Sequence, residues 1–89
     1  MARYLIESPH EPEECLQALD EVLAQGPDVL AGYEWGCAAG KHIGWVTVER
    51  DNESSARSMV PSFLLSKARI MATNKFTPDQ IRSFHQKGL

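Results

Sequence analysis

Cys37 and His42 are the residues of this sequence best placed to do chemistry together. A thiolate and an imidazole form a donor pair that suits zinc, nickel or copper rather than magnesium. Ala38-Ala39-Gly40-Lys41 lies between them. If that segment turns a β-hairpin at Ala39-Gly40, the pair is directly opposed across it, with Cβ atoms about 4.5–5.5 Å apart, close enough to share one metal ion. His10 can supply a third ligand from the loop after an N-terminal strand, and His85, in the C-terminal tail, could reach in from a partner subunit. The plainer alternative keeps Cys37 as a small core residue and His42 as a rim residue beside a turn. The sequence contains no HxH, no CxxC and no helical His pair.

Two further constellations lie in the same stretch. Glu34 falls opposite Trp45 in the hairpin register, and a carboxylate against an aromatic wall can have a raised pKa and serve as a general acid or base. Arg3, Glu7, Glu49 and Arg69 join it or not according to strand parity, which the sequence leaves open. The alternative is a polar cross-strand contact at a wet interface. Tyr33 and Trp35 fall on the opposite, apolar face, where they line a pocket for an aromatic ligand or form plain core beneath helices.

The element that must position these residues runs from Leu30 to Arg50, LAGYEWGCAAGKHIGWVTVER. Closing it at Ala39-Gly40 pairs Tyr33 with Val46, Glu34 with Trp45, Trp35 with Gly44 and Cys37 with His42. Alternation then puts Ala31, Tyr33, Trp35, Cys37, His42, Val46 and Val48 on one face, almost wholly apolar. Leu30, Gly32, Glu34, Gly36, Ile43, Trp45, Thr47 and Glu49 occupy the other.

Around this hairpin the chain supplies the other elements. Arg3 to Ser8 reads as a first strand, and Pro12 with its acidic neighbours opens a helix whose apolar face holds Cys15, Leu16, Leu19, Val22 and Leu23. Gly26-Pro27 ends it. Asn52 caps a second helix with a stripe of Ala56, Met59, Val60, Phe63 and Leu64, in which Pro61 forces a kink or break. A fourth strand covers Ala68 to Lys75. Thr77, Pro78 and Gln80 then open a terminal helix with a capping box, and Phe76 with Ile81 forms a hydrophobic staple. The order β-α-β-β-α-β predicts a ferredoxin-like α+β fold: a four-stranded antiparallel sheet, first and third strands central, helices on one face and a short C-terminal helix. The uncovered face carries Ile43 and Trp45, and a two-fold homodimer with facing sheets would cover it.

Length and composition bound the rest. Eighty-nine residues make one domain, 1–89. A net charge of -3 argues against a nucleic-acid or anionic-membrane partner, and no stretch approaches a membrane span. Glu7 interrupts an apolar N-terminal run already too short for a signal peptide, and two cysteines make no disulfide framework. These features predict a cytoplasmic protein with both thiols reduced. There is no Gly-rich phosphate loop and no G-x-S-x-G elbow.

RYLIES, the acidic first helix, the YEWGC…HIGWVTVE hairpin and the ARIMATNKFTPDQI ending together resemble the dimeric α+β barrel superfamily. Within it the chain is most similar to small, uncharacterised bacterial families. The resemblance implies the ferredoxin-like fold and the homodimer. It leaves function between two classes, because the superfamily includes monooxygenases, isomerases, haem-handling enzymes and a nickel-binding protein. One reading is a binding module for a divalent transition metal or small ligand. The other is a cofactor-free monooxygenase or isomerase with a pocket between sheet and helices. A filled interior beneath the helices favours the module.

Overall fold

The computed structural model describes residues 1–88. The chain is α+β, built on an open four-stranded antiparallel sheet. Its strands are β1 (Ala2–Pro9), β2 (Glu34–Trp35), β3 (Ile43–Arg50) and β4 (Arg69–Thr73), in the order β2-β3-β1-β4. The first and third strands are therefore adjacent at the centre, as the element order predicts. β1 shows why one face is covered: its residues alternate, with Tyr4, Ile6 and Ser8 buried and Arg3, Leu5 and Glu7 half-exposed.

Four helices accompany the sheet: α1 (Cys15–Gln25), α2 (Pro27–Gly32), α3 (Glu53–Arg57) and α4 (Pro78–Lys87). One hydrophobic cluster joins Tyr4, Ile6, Val46 and Val48 of the sheet to Ala18 and Val22 of α1 and to Ala56, Met59, Val60 and Leu64. The second helical region breaks where Pro61 predicts, giving α3 and a separate 3-10 turn at Ser62–Leu64. Asn52 caps α3 through a 2.8 Å bond from the Ser55 N–H. No helix among the described residues is long and apolar enough to cross a membrane.

Three local expectations are corrected. The first helix does not bury Leu16 or Leu23, which are 69% and 47% exposed; its buried positions are Ala18 and Val22. Ala18 and Val22, four residues apart, form the inward stripe, and Leu16 and Leu23 lie to its outer side. Next, Leu30, Ala31 and Gly32 are helical rather than part of the hairpin, because Pro27 opens a new helix directly after Gly26. Finally, the hairpin's first arm shrinks to Glu34–Trp35, so Cys37 and His42 are not ladder partners. Cys37–Ala39 instead forms a 3-10 turn.

The predicted register survives in the short ladder that remains: Glu34 pairs with Trp45 and Trp35 with Gly44. Gly40 takes the left-handed conformation at φ 84°. Gly36 is needed for a different reason: a Cβ there would lie 2.6 Å from the Lys41 carbonyl oxygen. The same closeness lets the Lys41 N–H donate to the Gly36 carbonyl at 2.9 Å and the Gly36 N–H to the Ile43 carbonyl at 3.0 Å.

The terminal helix has the predicted capping box, with Gln80 N–H donating to Thr77 Oγ1 and Thr77 N–H to Gln80 Oε1. None of its residues is buried. Phe76 packs edge-to-face on Phe84, centroids 5.3 Å apart. The radius of gyration of 15.8 Å exceeds the roughly 12 Å of a compact chain this long, in keeping with so exposed a terminal segment.

Candidate metal centre

Four side chains converge at one end of the central strand pair: His10, Cys15, Cys37 and His42. Each offers one ligand atom, and these atoms all lie within 4.8 Å of one another. The three residues picked out by chemistry in the sequence, Cys37, His42 and His10, are thus brought together. Cys15 is the member that sequence reasoning missed. Its signal was present: His10 and Cys15 have the same separation as Cys37 and His42, in mirror order.

Backbone structure accounts for the convergence. The β1–β3 ladder runs to Pro9 opposite Ile43, and one more bond, His10 N–H to the His42 carbonyl at 3.0 Å, holds the two histidines side by side. Their rings meet edge-to-face at 5.9 Å. From His10 the chain turns sharply, with Glu14 N–H donating to the Glu11 carbonyl at 2.9 Å and Glu11 N–H to Glu14 Oε1 at 2.8 Å. That turn delivers Cys15 as the first residue of α1. Cys37 is likewise the first residue of its 3-10 turn.

The thiol of Cys15 donates to Cys37 Sγ at 3.0 Å, and His10 Nε2 lies 3.3 Å from the same sulfur. His10 Nδ1 is 3.3 Å from the Ser8 carbonyl. A proton held on Nδ1 by that carbonyl leaves Nε2 free to ligate, the usual orienting device for a metal-bound imidazole. His10 is 7% exposed, and the other three side chains are half-buried. Among the described residues, His42 Nδ1 is buried without a hydrogen-bond partner. A buried imidazole nitrogen left open costs free energy that a cation would recover. Burial, and then the adjacent Cys15 thiol, pushes Cys37 up to about 11.

Around a tetrahedral zinc, bonds of ~2.3 Å to sulfur and ~2.1 Å to nitrogen place ligand atoms roughly 3.4–3.8 Å apart. The separations here, from 3.0 Å to at most 4.8 Å, bracket that range. Side-chain rotations of about an ångström convert one arrangement to the other. The donor set, two sulfurs and two imidazoles, is that of closed structural zinc sites, which hold a metal and leave no open position for catalysis.

Tyr33 and Trp35 stack at 5.3 Å with an interplanar angle of 18°. Tyr33 is buried, and its hydroxyl donates to the Met59 carbonyl at 3.3 Å. Trp35 reaches toward the His/Cys cluster, its ring centroid 6.1 Å from that of His10. It lies directly over Gly44, where a Cβ would meet ring carbon Cζ3 at 2.8 Å.

On the opposite side of the sheet, the register places Glu7 between Trp45 and Arg69, and Arg3 beside Glu49. The parity that the sequence leaves open is thereby settled: all four of those charged residues share the face of Trp45. The Trp45 indole N–H donates to Glu7 Oε1 at 3.2 Å, and Arg69 Nη1 lies 3.9 Å from Glu7 Oε2. Glu34 is exposed and lines a shallow concavity of about 320 Å³ with Leu5, Gly32, Trp45, Val46 and Thr47. His85 is exposed on α4, apart from the cluster.

Fold and site together describe a small α+β chain with one cluster of four side chains of metal-ligating type. Comparison with protein-family models, curated proteins and solved structures finds no match.

Proposed function

We propose that this chain is a binding module that holds one divalent transition metal, zinc in the first instance, through His10, Cys15, Cys37 and His42. The observation that carries the reading is the convergence of these four donors within 4.8 Å. Two of them come from the end of β1 and the start of α1, and two from the turn before β3, so a bound ion clamps both loops at one end of the sheet. Glu11, Glu13 and Glu14, between His10 and Cys15, add negative potential beside the site.

The binding-module reading is favoured over a cofactor-free enzyme because the layer between sheet and helices is occupied by the buried side chains of Tyr4, Ile6, Val22, Tyr33 and Leu64. The concavity beside Glu34 and Trp45 lies at the edge of the open face, outside the sheet–helix layer where such an enzyme would need its pocket. We further read the chain as one ferredoxin-like domain over residues 1–89, of the dimeric α+β barrel kind, in the reducing cytoplasm. In the homodimer two open sheet faces meet. Half-buried Leu5 and Trp45, and Met71 at 49% exposed, support that arrangement.

Metal analysis of untagged protein tests the central reading. One zinc per chain, lost in His42→Ala, is the expected result. No retained or acquired metal, or binding indifferent to that substitution, would remove it.

A further inference from the structure

The two sulfurs of the cluster are each other's nearest reactive partners. Cys15 Sγ and Cys37 Sγ lie 3.0 Å apart, both on half-buried residues that solvent can reach. A tetrahedral metal needs them to open to about 3.8 Å. A disulfide needs them to close to about 2.05 Å. The observed separation lies between, so one pair of side chains serves either state by moving about an ångström. Each cysteine is the first residue of its helix or turn and lies outside the β1–β3 ladder. The two states exclude one another, because a disulfide sulfur is no longer a thiolate ligand.

We propose that the centre is redox-gated: oxidation of Cys15 and Cys37 to a disulfide expels the metal, and reduction restores the site. The inference rests on the metal-binding reading above. The oxidant is a hydroperoxide, with hydrogen peroxide as the simplest case. In the loaded centre both sulfurs are deprotonated, and the first thiolate attacks one peroxide oxygen, the O–O bond breaks, and the sulfur becomes a sulfenic acid as hydroxide leaves. Cys37 and Cys15 are then close enough for the second thiolate to attack that sulfur, forming the S–S bond and expelling a second hydroxide. Two protons complete two waters. The two sulfurs lose two electrons in all, the peroxide gains them, and the metal leaves with its charge unchanged. His10 and His42 remain, and two imidazoles alone make a weak site.

Zinc-loaded protein treated with hydrogen peroxide tests this in one reaction, followed by a colorimetric zinc indicator and by intact mass. The expected result is one zinc released per disulfide and a mass lower by two hydrogens. A peptide map should join the Cys15 and Cys37 segments within one chain. Oxidised protein should bind zinc more than ~100-fold more weakly, beyond the 10–100-fold cost of losing an outer-shell partner. Dithiothreitol should return full binding. Added oxygen atoms in place of the disulfide, or zinc retained after the disulfide forms, would overturn the gating.

Failure here is distinguishable from failure of the metal reading. A reduced chain that never takes up zinc fails the metal reading. A chain that binds zinc and keeps it under peroxide fails only the gating. Metal-free protein run in parallel reads the cysteine pairing alone, and no Cys15–Cys37 disulfide there also overturns the proposal.

Discussion

Cys15→Ser is the substitution that separates a four-donor centre from a three-donor one. If Cys15 is a ligand, the bound ion sits between its sulfur and Cys37, and the 3.0 Å separation opens on loading. If it only donates a hydrogen bond to Cys37, then His10, Cys37 and His42 hold the metal and the fourth position is open to water. Apparent zinc affinities of comparable small sites are ~10–16 kcal/mol, so an equal share per ligand is about 2.5–4 kcal/mol. That corresponds to a loss of roughly 100- to 1,000-fold in affinity, at about 1.4 kcal/mol per factor of ten. Thermal unfolding converts it to a readable shift. Zinc at 100 times the wild-type dissociation constant stabilises by ~2.7 kcal/mol. For a domain of this size that raises the midpoint by roughly 10–20 °C. At the same free zinc, the variant gains no more than ~0.4 kcal/mol, or about 3 °C. Cobalt substitution gives an independent readout, because thiolate-to-metal charge-transfer absorbance follows the number of bound sulfurs and should fall by about half. A variant that keeps wild-type zinc stabilisation and full thiolate absorbance would refute the four-donor centre and return Cys15 to the helix face.

Other consequences follow from the same geometry. Gly44→Ala drives a Cβ to 2.8 Å from Trp35 Cζ3, and displacing that ring should cost ~1–3 kcal/mol. Because Trp35 also lies beside His10, zinc affinity should fall with it, and an unchanged unfolding midpoint would contradict the packing. Burial raises Tyr33 above the ordinary tyrosine range. The unfolded chain therefore gives up this proton first, near pH ~10, while the folded chain still holds it, so stability is complete below that pH and declines above it. Denaturant titrations on either side of pH ~10 should show that decline, and Tyr33→Phe should lessen it. Leu5 lies between Thr47 and Met71 on the open face, so Leu5→Glu should break the proposed dimer to a sedimenting monomer without lowering helical content. A wild-type chain that sediments as a monomer at micromolar concentration would remove the facing-sheet arrangement.

The sequence yields these features unevenly, and the reason differs from residue to residue. Turn chemistry and caps are local, so Gly40, Asn52, Pro61 and the Thr77–Gln80 box can be read from neighbours alone. The register of Glu34 with Trp45 and of Trp35 with Gly44 follows from where the turn closes, whatever conformation the turn adopts. The extent of the hairpin is not local in that sense. Tyr33 continues the alternation of Trp35, and this favours a strand back to Leu30, yet Pro27 starts a helix that consumes those residues. Here the proline was the better signal, since it fixes backbone geometry, whereas alternation over a few residues constrains little.

Cys15 shows a deeper limit. Among Leu19 and Val22 it fits an apolar helical stripe, and a thiol buried in such a stripe has the same periodicity as one facing a metal. What distinguishes the two is a partner distant in sequence, and only the closure of β1 on β3 brings Cys37 within 3.0 Å. The mirrored spacing of His10 with Cys15 and Cys37 with His42 offers a way around that limit. Each pair spans one chain reversal, the first between β1 and α1 and the second before β3. The two reversals meet at one end of the sheet because β1 pairs with β3 and His10 N–H bonds the His42 carbonyl, and that closure brings the four donors together. A donor pair on each of two reversals that the strand pairing brings together is therefore a better guide to this cluster than any of its residues taken singly.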